Sequence, residues 1–148
     1  MIASAIHHFD SFFCSQSQQG SSSTSNPTYS IWTPPSTRGF KVNFDAAVNT
    51  TKLMGSVAAI VRDEQGQVTG WRCKLFPNIE DPLVLESLAC REDIQLAIAK
   101  GLANAIIEGE VVINSCKGYV SSVEIQGLIS DVILLAESLT SVTFSYVR

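Results

Sequence analysis

The chain has few basic residues and gathers them nowhere: ten Lys and Arg against fourteen Asp and Glu give a formal net charge of -4 over 148 residues. That balance carries no electrostatic signature of a tight, nonspecific binder of nucleic acid or anionic membrane, so any polyanion has to be held locally. Histidine is scarcer still. His7 and His8 are the only two, and both precede the region with folding potential, which leaves a Ser-His-Asp or Cys-His hydrolase without its base. No glycine-rich phosphate loop is present. No apolar run approaches the length of a membrane helix, and the opening MIASAIHHFDSFFC lacks the basic start of a secretory signal. The four cysteines, Cys14, Cys73, Cys90 and Cys116, form no CxxC pair, so neither a zinc site nor a disulfide framework is indicated. Reduced structural thiols in an intracellular protein are the expectation.

A hydrophobic content of 45% is enough for one real core. It is unevenly placed. The stretch QSQQGSSSTSN is of low complexity and buries too little apolar surface to offset its ordering entropy. Residues 1–30 are therefore expected to form a flexible, serine-rich tail or linker, and residues 31–148 a single domain.

Within that domain GFKVNFDAAV alternates around Val42, Phe44 and Ala46; GSVAAIVRD is a short apolar run; QVTGWRCKLF alternates through Val68, Trp71, Cys73 and Leu75. The turn signal DEQG, ending at Gly66, joins the last two, which predicts an antiparallel meander. The period then changes. In DPLVLESLACREDIQLAIAKGL, Asp81 suits an N-cap, Pro82 the first helical position and Gly101 the stop. Leu85, Ala89, Cys90, Ile94, Leu96 and Ala97 fall on one broad face with Arg91 and Gln95 opposite, and Asp93 is expected on the charged rim. NAIIEGEVVI reads as a buried strand, Val123 to Ser138 as a second helix with Ile125, Leu128, Ile129, Val132 and Leu135 inward, and SVTFSYV as a last strand. The order βββαβαβ predicts an α/β fold with a mixed five-stranded sheet, the first strand central, antiparallel to the second and parallel to the fourth.

Two carboxylates stand in unexpected places. Asp45 lies in an otherwise apolar strand, and Glu86 inside the apolar arc of the helix. An ionised carboxylate removed from water costs several kcal/mol unless it is paired, hydrogen-bonded or bound to a metal. A strand-end aspartate or a helix-edge glutamate reaching solvent would satisfy the same positions.

The runs WTPPSTRGFKVNFDAAV, AAIVRDEQG, LESLACREDIQLAIAKGL, AIIEGE and FSYVR, in this order, resemble the plant ribonuclease H-like domain (RNase H type 1) associated with retrotransposon reverse transcriptases. The resemblance covers Trp32 to Arg148. It implies the ribonuclease H-like fold and hydrolysis of the RNA strand of an RNA–DNA hybrid with two Mg2+ ions, Mn2+ being able to substitute. It also implies recognition of the hybrid through its A-like shape and 2′-hydroxyls. By that resemblance the first-strand aspartate corresponds to Asp45, the glutamate of an "AE..A" pattern to Glu86 in LESLA, and the aspartate of an EGD or ESD stretch to Glu110 in EGE; these three are the candidate catalytic and metal-binding residues. Three departures follow. Glutamate replaces aspartate at 110, Ala46 replaces the usual glycine, and the family's final helix with its fourth acidic residue has no counterpart before Arg148, so the domain is expected to be truncated there. The expected activity is weak hybrid cleavage by a monomer without membrane association. The alternative is a degenerate, non-catalytic domain that retains nucleic-acid binding.

Overall fold

The computed structural model describes residues 32–109, 111–116 and 123–146. The chain divides into two units, Met1–Thr33 and Pro34–Arg148, and every described element belongs to the second. The expected tail, residues 1–30, lies outside the described residues.

Strands β1 (Phe40–Asn49), β2 (Met54–Arg62) and β3 (Val68–Pro77) form the predicted meander. Asp63 sets the second turn: its Oδ1 accepts from the backbone N–H groups of Gln65 and Gln67, while Gly66 takes the positive φ of 76° that the turn demands. Helix α1 (Pro82–Ala99) starts where the sequence predicts. The Asp81 carboxylate accepts from Leu83 N at 2.8 Å and Val84 N at 3.3 Å, and Gly101 at φ 64° lets the chain leave. Strand β4 (Asn104–Gly109), the short helix α2 (Val111–Cys116), a 3₁₀ turn (Val123–Ile125), helix α3 (Gln126–Ala136) and strand β5 (Ser141–Tyr146) complete the described order.

The sheet order is β3-β2-β1-β4-β5, with β1–β2 and β2–β3 antiparallel and β1–β4 and β4–β5 parallel. The first strand is thus central, as the connectivity requires. Val42, Phe44, Val57, Ala59, Val61, Ala105 and Ile107 project from one sheet face into a single core with Leu85, Ala89, Cys90, Ile94 and Ala97 of α1 and Ile129 and Val132 of α3. Contact between layers is close. A Cβ on Gly55 would lie 2.2 Å from a Leu85 methyl, so glycine there lets α1 settle onto β2.

Three expectations fail for identifiable reasons. NAIIEGEVVI is a strand only to Gly109, after which Val111–Cys116 is helical. At the switch the Phe44 ring fills the space beside Gly109, where a Cβ would sit 2.1 Å from the ring. Asp93 is not on a charged rim but wholly buried, because it stands one turn from both Ala89 and Ala97 and so falls inside the apolar arc of α1; Glu92, at the edge of that arc, is nearly buried as well. Finally, the apolar row of β3 turns away from α1: Trp71 is 46% and Leu75 59% exposed. The opposite side, Arg72 and Lys74, faces the helix instead, where Lys74 Nζ lies 2.7 Å and Arg72 NH1 3.4 Å from the Glu92 carboxylate. Two half-exposed cations neutralising a buried anion decide which face of the edge strand packs inward. Ile125 of the 3₁₀ turn and Ile129 and Val132 of α3 are buried as predicted, with Leu128 and Leu135 half-buried.

Candidate active site

Asp45 stands on β1 two residues beyond Asn43, the last β1 residue paired with β4. On its other side β1 is still paired to β2, with Asp45 opposite Ala58. Its carboxylate is therefore exposed at the place where β1 outruns its parallel neighbour, a crevice of the kind in which α/β sheets receive ligands. Asp45 Oδ1 accepts from the N–H of Ala46 at 2.8 Å, which fixes the side chain against its own strand. Of the two readings of an aspartate in an apolar strand, solvent contact is the one its exposure supports.

Glu86 is half-buried on the second turn of α1. Its Oε1 accepts from the backbone N–H of Val112, at 3.1 Å, in the first turn of α2. That bond ties α1 to the segment following β4 and orients the carboxylate. The sequence offered no signal for it, because the donor is a backbone group 26 residues away.

Glu110 lies outside the described residues. The residues flanking it are placed. Gly109 packs against Phe44, the neighbour of Asp45, and Val112 binds Glu86.

Glu108 is a different kind of carboxylate. It is only 4% exposed, opposite Asn43 in the β1–β4 ladder. Lys41 Nζ lies 2.8 Å from its Oε1, and Asn43 Nδ2 donates to its Oε2 at 2.8 Å. Both oxygens are thus engaged within the sheet, and Glu108 is part of an internal ion pair. Lys41, Arg72 and Lys74 are all paired with buried glutamates.

The donor chemistry at Asp45 and Glu86, hard carboxylate oxygen on two rigid elements, suits Mg2+ or Mn2+. Among the described residues no group of three His, Cys, Asp or Glu side chains is gathered closely enough to hold a metal ion. Among the described residues no helix is long and apolar enough to cross a membrane.

The fold has many solved counterparts. RNase H1 from the halophilic archaeon Halobacterium salinarum is similar with a TM-score of 0.68 at 11% identity, over 74% of this chain and 86% of that one. The N-terminal RNase H domain of a Mycobacterium tuberculosis protein, solved as a fusion with maltose binding protein, is similar at 0.65 and 14% identity, over 74% and 82%. LC11-RNase H1, solved in complex with an RNA/DNA hybrid, is similar at 0.63 and 11% identity, over 74% and 85%. At these identities the likeness is one of fold. No curated protein matches the sequence. The family model described as reverse transcriptase-like matches residues 43–148, a stretch that begins two residues before Asp45 and takes in Glu86 and Glu110. With that match over most of its length and an RNase H-like fold beneath it, the chain belongs to the reverse transcriptase-like family.

Proposed function

We propose that this RNase H-like domain binds RNA–DNA hybrids and hydrolyses the RNA strand slowly, as an endonuclease dependent on divalent cations, with Asp45, Glu86 and Glu110 as the carboxylates that hold them. The observation that carries the reading is the Glu86–Val112 bond. It spends one carboxylate oxygen on orientation and draws the residues after β4 toward α1, which is what a shared site between Asp45, Glu86 and position 110 requires. Divalent cations bound there would activate a water and neutralise charge on the leaving oxygen.

The protein's own part is positioning. Asp45 offers an exposed carboxylate from the central strand, Glu86 a half-buried one held by a backbone donor, and Lys41 with Asn43 neutralises Glu108 so that its charge does not compete nearby. Slowness follows from Glu110: a glutamate carries the same charge as aspartate on a longer stem, and Mg2+ tolerates little displacement of its oxygens. Hybrid recognition rests on shape and ribose hydroxyls. A net charge of -4 limits the phosphate contribution, so affinity should fall only shallowly with salt.

A second reading, hybrid binding without cleavage, is favoured by one observation: position 110 carries glutamate where the resembled family has aspartate. Cleavage of a labelled hybrid in matched Mg2+ and Mn2+, alongside a binding assay, separates the two. The first reading expects slow cleavage, faster in Mn2+, raised by Glu110→Asp and abolished by Asp45→Asn or Glu86→Gln with binding retained. Cleavage by Asp45→Asn at the unmodified rate would refute the site. Binding without cleavage in either metal, unchanged by Glu110→Asp, selects the second reading, and absence of binding removes both.

A further inference from the structure

Cys90 and Cys116 are distant in sequence but adjacent in the fold. Cys90 sits on α1 one turn beyond Glu86; Cys116 ends α2 one turn beyond Val112. The Glu86–Val112 hydrogen bond joins the two helices at the first of these levels, and the two thiols are neighbours at the second. Their surroundings differ. Cys90 has no exposed surface, whereas Cys116 is half-buried and lines an open depression with Ile133, Ala136, Glu137 and Leu139 at the α3–β5 corner.

We propose that Cys90 and Cys116 form a peroxide-oxidisable dithiol, in which Cys116 meets the oxidant through this depression and Cys90 closes the disulfide. Cys116 sulfur attacks a peroxide oxygen and breaks the O–O bond; one oxygen stays on sulfur as a sulfenic acid, and the other leaves, taking a proton, as water or an alcohol. Cys90 sulfur then attacks the sulfenic sulfur, the S–S bond forms and the S–O bond breaks, and a second water departs with the Cys90 proton. Two thiols lose two electrons and two protons, and the peroxide gains both.

The division of roles follows exposure, and the electrostatics agree with it. The hydrogen bond with Cys90 lowers the Cys116 thiol pKa, against the opposing effects of burial and the Glu86 charge; the same bond, then burial, pushes Cys90 well up. Cys73 is exposed on β3, on the sheet face opposite α1, and has no thiol neighbour among the described residues; it is the internal comparison. A closed disulfide would brace α2 against α1 beside the bond that orients Glu86.

The test reads the thiols directly and does not depend on the nuclease reading. The full chain, folded in native buffer, is treated with hydrogen peroxide and mapped by peptide mass spectrometry. The expected product has lost two hydrogens, joins the Cys90 peptide to the Cys116 peptide, and reverts with dithiothreitol. Cys90→Ser should stop at a dimedone-trapped sulfenic acid on Cys116, and Cys116→Ser should leave Cys90 reduced. Should either variant fail to fold, the unmodified chain's map decides alone. Oxidation confined to Cys73, bridges joining Cys90 or Cys116 to other cysteines, or Cys116 driven to the sulfinic acid without a disulfide would overturn the proposal.

Discussion

Replacing Asp93 by asparagine should flatten one component of the protein's pH-dependent stability. The Asp93 carboxyl is wholly buried on α1, and neither of its oxygens has a hydrogen-bond partner. Burial alone pushes its pKa well above the ordinary carboxylate value. The folded state consequently keeps a proton that the unfolded chain, titrating near the usual ~3.9, gives up. With the folded pKa raised, the proton-linked stability is complete below the unfolded value and is lost as pH climbs from about 4 toward the folded pKa. Over that window the slope is about 1.4 kcal/mol per pH unit, a large share of a total stability that is commonly about 5–15 kcal/mol. Asparagine has nearly the same shape and does not ionise, so the difference in stability between the two proteins isolates Asp93 from every other titrating group. Urea unfolding in steps from pH 4 to pH 7 supplies the measurement, ending before the thiols titrate. Asp93→Asn should gain on the unmodified protein by that slope as pH rises. A difference that stays constant across the range would show that Asp93 is ionised or solvated in the folded state, and the account of α1 as covered on that side would be wrong.

Other outcomes follow from the same packing. Truncating Arg72 and Lys74 together leaves Glu92 buried and unpaired and should cost about 3–5 kcal/mol by chemical denaturation. Glu92→Ala should cost less, because the two freed cations, 33% and 49% exposed, can be solvated; the reverse ranking would refute the inward orientation of that face of β3. Gly109→Ala forces a Cβ into the Phe44 ring and should destabilise by about 1–3 kcal/mol, whereas Gly70→Ala meets only the flexible end of Lys100 and should be nearly neutral in thermal midpoint. Asp81→Ala removes the cap from two backbone donors of α1 and should lower stability by about 1 kcal/mol; no measurable loss would place the start of α1 elsewhere.

Much of the fold follows from the sequence because its signals are local. Alternation around Val42 and Phe44, the DEQG turn, the Asp81–Pro82 start and the Gly101 stop depend on period, φ and short-range hydrogen bonds, all carried by neighbouring residues. Once strands and helices are in order, the handedness of crossovers leaves few places for β1 other than the centre. The same local reasoning marks Asp45 and Glu86 as misplaced carboxylates and, with the motif around them, as site candidates together with Glu110.

What the sequence does not carry is decided by groups that meet only after folding. Glu108 and Asp45 look alike as acids in apolar strands, yet Glu108 is enclosed by Lys41 and Asn43 while Asp45 stays in water, because β4 ends at Gly109 and leaves that part of β1 uncovered. The space beside Gly109 is taken by the Phe44 ring, the orientation of Glu86 depends on a backbone donor in α2, and the inward face of β3 on the burial of Glu92. Asp93 shares the buried face of α1 with Ala89 and Ala97 and is enclosed with them, without a partner for its carboxyl. Cys90 and Cys116 likewise become a pair only when α2 lies against α1. Periodicity tells which residues share a face of one element; which neighbour covers that face, and so which charges are matched and which thiols touch, is fixed by packing between elements far apart in sequence.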